Sequence, residues 1–232
     1  AFGGTYAEID RKLADYLQGG RYYVARQPVA NLPPLQAEPA GVAEVEDALA
    51  RLRMAGGRHV EARENVARVR AAAPDDPATH VLEGELAQES GETEAALAAY
   101  RRAIEKESRD FRPYFETASA DHAAAIARDG SGQGLARTAA REIANRYERA
   151  INLNPRHRPA YQGLAGMINL VPAGNAEDTR FLEHGAKLFP DDGLIRLGLA
   201  IAVRREGNEE RARALLASVT GATSAQPANV VA

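Results

Sequence analysis

From Val42 to Val219 apolar residues recur mostly at three- and four-residue intervals, and Gly or Pro interrupts them at regular distances. This pattern predicts a succession of amphipathic helices joined by short turns. Gly57 and Gly91 lie 34 residues apart, as do Ala62 and Ala96, and Pro74 and Ser108 close successive units at the same spacing. Each unit reads as helix, Gly-containing turn, helix, then a Pro- or Asp-rich turn. The ending at Tyr100 returns at Tyr147, 47 residues later and 13 more than one period. The third unit is therefore expected to have lengthened helices over 111–128 and 135–153, around a Gly-rich turn at 129–134. Pro155 and Pro190 enclose a fourth unit with Tyr161, Leu164 and Gly166 in its first helix and a turn at 172–174. A fifth begins near Asp192, with Gly207, Ala212 and Leu216 in register.

The second unit carries the pattern best: Gly84 at a small position of its first helix, Gly91 in the turn, then Ala96, Tyr100 and Ala103 in the second helix. A period of 34 with this content resembles the tetratricopeptide repeat. The resemblance covers residues 42–219 and implies an all-α fold, a right-handed α-solenoid of about five helix-turn-helix repeats. One unit alone cannot bury its apolar stripe, whereas stacked units share a continuous core and present a concave face lined by their first helices. The fold implied is that of a scaffold, and its motifs specify architecture far more than ligand.

Residues 1–41 differ. A helix is expected from Thr5 to Leu17, then an extended stretch at 21–25, then a linker marked by Pro28, Pro33, Pro34 and Pro39, each of which disfavours helix at the residue before it. Residues 1–17 followed by Gly20-Arg21 resemble the closing helix of gluzincin-type peptidase domains that precede such repeats in some bacterial proteins. That resemblance implies the carboxy-terminal portion of a larger envelope-associated protein, with periplasmic or cell-envelope location favoured over cytoplasmic. The His-Glu-x-x-His zinc motif of those enzymes is absent, so no catalytic residue transfers to any position here. Residues 220–232 read as a loose polar tail.

Composition narrows the function. The chain of 232 residues is 45% apolar and 26% charged, with only 6% aromatic residues, no Trp and no Cys, which suits helices packed through small side chains and excludes disulfides and thiolate chemistry. A net charge of −3 without long runs of one sign argues against nucleic acid as a partner, and no apolar run is long enough to span a membrane. The five histidines, His59, His80, His122, His157 and His184, are too far apart for a local metal pair, so no metal or other cofactor is expected. Asp75-Asp76 and Asp191-Asp192 follow Pro74 and Pro190 and are expected to cap the next helix. The basic stretch Arg137, Arg141, Arg146, Arg149, Arg156 and Arg158 is interleaved with Glu142 and Glu148 and reads as a solvated face, or else as a site for an acidic peptide.

Projecting the repeat register onto the first helices gives the candidate groove. The first units offer Glu44, Asp47, Arg51, Val81, Glu85 and Gln88; the later ones offer Phe115, Ser119, His122, Met167, Leu170, Leu197, Ile201 and Arg204. Polarity falls along this series. The Lys, Asn and Arg set with which some repeat proteins grip a terminal carboxylate is missing, so an apolar groove comprising Phe115, His122, Met167, Leu170, Leu197, Ile201 and Arg204 is expected to bind a protein or peptide segment. A noncatalytic protein-interaction scaffold is the leading expectation. An accessory domain of a zinc-peptidase-like protein, positioning its substrate or partner, is the alternative, self-association through an exposed end of the stack is a third possibility, and the chain's own amino-terminal helix, linker or tail filling the groove is a fourth.

Overall fold

The computed structural model describes Arg11, Asp15, and residues 39–132, 134–171 and 175–224. The chain divides into two compact units, Ala1–Pro39 and Ala40–Ala232. In the first, Arg11 and Asp15 are helical; the expected extended stretch, most of the linker and the peptidase-like segment otherwise lie outside the described residues. In the second unit the described residues form ten α-helices: α1 (Val42–Ala55), α2 (His59–Ala72), α3 (Pro77–Glu89), α4 (Thr93–Glu105), α5 (Arg112–Asp129), α6 (Arg137–Leu153), α7 (Arg158–Met167), α8 (Ala176–Leu188), α9 (Gly193–Arg205) and α10 (Glu209–Ser224). They form five antiparallel pairs, the arrangement of a tetratricopeptide-type solenoid. The third pair has the expected lengthened helices of 18 and 17 residues. The last helix continues to Ser224, past the end expected at Val219.

The helix starts follow from local chemistry. Asp76 accepts a hydrogen bond from the Ala78 amide at 2.8 Å, and Asp192 accepts from the Leu194 and Ile195 amides, both at 3.1 Å. Each side chain satisfies backbone donors that lack partners in the first turn. Asp75 does not cap; it pairs with Lys106 at 2.8 Å.

The turns inside the pairs repeat one geometry. Gly57, Gly91 and Gly207 have φ of 69°, 75° and 87°, and the amides of Arg58, Glu92 and Asn208 reach back to the carbonyls of Arg53, Ala87 and Val203. This is a left-handed helix cap, which glycine adopts without steric cost. The same cap ends α4, where the Ser108 amide meets the Ala103 carbonyl, but the left-handed residue there is Glu107 with φ of 57°.

Between the helices, tyrosines press onto glycines. A Cβ built on Gly84, Gly163 or Gly185 would fall within 3 Å of ring carbons of Tyr100, Tyr147 or Tyr161, respectively. The two most extensive apolar clusters are one centred on α1–α3, with Met54, Val66 and Leu82, and a larger one running from Tyr114 in α5 to Ala212 in α10. Ala87, Ala96 and Tyr100 pack between them in sequence.

Candidate interaction face

Every first helix touches the first helix of the next pair: α1 with α3, α3 with α5, α5 with α7, α7 with α9. Of the second helices, only the backbones of α6 and α8 come close among the described residues, while α8 and α10 meet through the Glu183–Arg211 ion pair at 2.6 Å. Helices on the inside of a curved stack approach more closely than those outside, so the first helices form the inner face.

In the first three pairs this face is ionic. Arg51 on α1 holds Asp47 at 3.0 Å and also meets Glu85 on α3. Arg112, at the start of α5, meets the same Glu85 and holds Asp110 at 3.3 Å. Three consecutive first helices are thus joined through one carboxylate. Two open cavities of about 300 and 260 Å³ lie beside Arg51 and share Asp76 and Ala78. Further along, Gln88 accepts a hydrogen bond from the Tyr100 hydroxyl at 2.8 Å, and half-buried Glu116 has its pKa raised by desolvation. Val81, placed on the groove by the register, is 1% exposed and belongs to the core.

In the last three pairs the seven expected groove residues divide. Met167 has no exposed surface and sits in the main apolar cluster, so it offers nothing to a partner; it ends α7 on the core side. Phe115 is partly buried, edge-on to His157 with ring centroids 4.5 Å apart. His122 lies 3.4 Å from the Tyr147 hydroxyl and covers Gly166, and burial lowers its pKa. Leu170 is partly buried against the core and over Gly132, where an added Cβ would lie 3.1 Å from its Cδ1. Leu197 and Arg204 are exposed and Ile201 partly so, and these three share one stripe of α9 with exposed Leu194.

Several functional-looking side chains escaped the sequence reading. Arg141, assigned to a solvated face, donates to both oxygens of Asp178 on α8 at 2.9 and 2.8 Å, and also meets Glu148 on its own helix. This cluster spans the α6–α8 contact. Burial pushes the Glu148 carboxyl above its ordinary pKa, and a hydrogen bond to Asp178 raises it further. Arg146 likewise turns inward to Asp121 at 2.7 Å. Arg205, next to the residue chosen from sequence, donates to the carbonyls of Ile168, Asn169 and Val171, which satisfies acceptors at the end of α7. Four of the five histidines have packing or hydrogen-bond roles: His122 and His157 as above, His80 beside Glu83, and His184 on the Tyr161 hydroxyl at 2.9 Å. Among the described residues no group of three or more acidic or His side chains could hold a metal ion, and no helix is long and apolar enough to cross a membrane.

No protein-family model and no curated protein sequence matches the chain. Solved structures do resemble it. YrrB, described as a TPR protein with an unusual peptide-binding site, superposes with a TM-score of 0.54 at 11% identity, over 79% of this chain and 88% of its own. An RS-1 MamA double mutant gives 0.51 at 12% identity, over 82% of this chain and 99% of its own. At such identities the likeness shows the tetratricopeptide-type solenoid fold. Nothing in these comparisons supports the peptidase-like reading of the amino-terminal segment.

Proposed function

We propose that this chain is a noncatalytic interaction scaffold that takes a peptide or protein segment along the face of its first helices. The carrying observation is the α9 stripe, where Leu194 and Leu197 keep 45% and 39% of their surface exposed beside Ile201 and Arg204. An apolar side chain laid over Leu197 and Ile201 gains by leaving water, and a carboxylate near Arg204 gains a charge-assisted hydrogen bond. Phe115, His122 and Leu170 continue this contact set toward the middle of the stack, where their partial burial gives them a supporting share. YrrB's described peptide-binding site, in a protein of the same fold, supports the class of ligand.

The test is selection of peptides from a random display library against the purified chain, followed by affinity measurement with labelled peptides. Leu197→Ser combined with Ile201→Ser is expected to weaken selected peptides at least about tenfold, since two buried apolar contacts are lost. Arg213→Ser, on exposed α10, should leave binding unchanged. Peptides indifferent to the α9 double substitution would overturn the assignment.

A further inference from the structure

On the side of α9 away from its exposed stripe lies a cleft of about 350 Å³ between the second helices α8 and α10. Leu199, which lines it, follows Leu197 by two positions and so points about 200° round the helix from it. The gap is open because the backbones of α8 and α10 do not come close, whereas those of α6 and α8, one joint earlier, do. Leu199 and partly buried Leu215 give the cleft an apolar base continuous with the main core cluster.

Its charge is out of balance. Lys187, Arg196 and Arg211 line it with a single carboxylate, Glu183. Arg211 holds that carboxylate at 2.6 Å, and among the described residues neither Lys187 nor Arg196 has an acidic partner. Arg196 reaches only Ser218, over long distances of 3.4 and 3.5 Å, and its Nε is buried without a hydrogen-bond partner. A buried donor left unpaired carries a desolvation cost that an arriving acceptor removes once the loosely held guanidinium turns toward it. The corresponding cavity between α2 and α4, of about 200 Å³, is closer to neutral: three arginines line it with two carboxylates, and Arg63 and Arg70 hold Glu92 and Glu83.

The two features together specify the occupant. A bare phosphate would leave the leucines uncovered, whereas an apolar side chain flanked by carboxylates uses both parts of the cleft. We propose that the α8–α10 cleft is a second docking site, taking an acidic peptide segment whose apolar side chain rests on Leu199 and Leu215 and whose carboxylates pair with Lys187 and Arg196. It lies apart from the α9 stripe and does not depend on the function assigned to that stripe.

Fluorescence anisotropy of the labelled peptide Glu-Leu-Glu-Leu-Glu, titrated with the full chain at low salt, tests this. Saturable binding is expected, weakening as salt is raised and falling at least about tenfold with Lys187→Ala plus Arg196→Ala. Lys187→Ala alone, at an exposed position, should weaken binding in the same direction with an unchanged helical circular dichroism spectrum. Leu197→Ser with Ile201→Ser should leave this peptide bound, and Gln-Leu-Gln-Leu-Gln and Glu-Ser-Glu-Ser-Glu should both bind far more weakly. Absence of saturable binding overturns the proposal, as does binding indifferent to both Lys187→Ala and the double substitution. Displacement by inorganic phosphate at matched ionic strength would also overturn it, as the mark of an anion site without the apolar contact, and loss with the α9 substitutions would put the peptide on that stripe instead.

Discussion

Tyr161 closes on Gly185 so tightly that a Cβ at position 185 would lie 2.5 Å from the ring. The ring cannot easily retreat: its hydroxyl is held by the Pro155 carbonyl at 3.0 Å and by His184 at 2.9 Å. Gly185→Ala should therefore cost about 1 to 3 kcal/mol in urea unfolding, the usual range for overpacking a tight core. The cost should shrink in a Tyr161→Ala background, where the ring is gone, and additive losses would show that the two residues do not compete for the same space.

Arg205 and Arg204 are neighbours in sequence with different surroundings. Arg205 serves three carbonyls beyond α7, whereas Arg204 is exposed. Arg205→Ala should lower stability by about 1 to 3 kcal/mol, because partly buried acceptors lose a charged donor. Arg204→Ala should stay within about 0.5 kcal/mol of the wild type, as is usual for exposed positions. Equal losses in chemical denaturation would remove the distinction.

Glu148 gives the chain a particular response to pH. Its carboxyl ionises near 4.5 when unconstrained and at a higher pH in the fold, where burial favours the protonated form. Above the ordinary value the folded state thus binds more protons than the unfolded one. The stabilising contribution is complete below the unfolded value and is lost as pH rises through the folded one. Melting temperatures recorded from about pH 5 to about pH 9 should show this decline, and Glu148→Gln, which keeps the shape without titrating, should flatten it. An unchanged slope in the variant would assign the dependence elsewhere.

The repeat boundaries and turns were legible in the sequence because their causes are local. Gly57, Gly91 and Gly207 mark left-handed turns, and Asp76 and Asp192 mark helix starts, each within a few residues of what it determines. The candidate face was legible only in part. One residue along a helix rotates the side chain by about 100°, so a register accurate to one position still confuses core with surface. That is how Met167 came to be assigned to the groove, and how Arg204 was chosen without its neighbour Arg205. Arg141 and Asp178 are 37 residues apart, and no local signal distinguishes such a pair from charges facing water. The left-handed Glu107 went unread for the opposite reason: its neighbours dictate the turn, and its own identity argues against it.

Replacing that residue tests the point. Glu107→Gly should raise stability by about 1 kcal/mol, since glycine relieves the steric cost of a positive φ while losing part of the gain to a freer unfolded chain. A lower denaturation midpoint in the variant would mean that the Glu107 side chain contributes more than its backbone costs.

The joints between second helices, fastened by Arg141 with Asp178 and by Arg211 with Glu183, also divide the stack mechanically. Where only the inner helices touch, neighbouring pairs can tilt about that line of contact at little cost. Where the outer helices are also bonded, tilting must stretch a charged link, partly buried at Arg141–Asp178 and more exposed at Arg211–Glu183. The last three pairs are therefore tied on both faces, and tilting is easiest at the two joints before them, where no ion pair links one second helix to the next among the described residues.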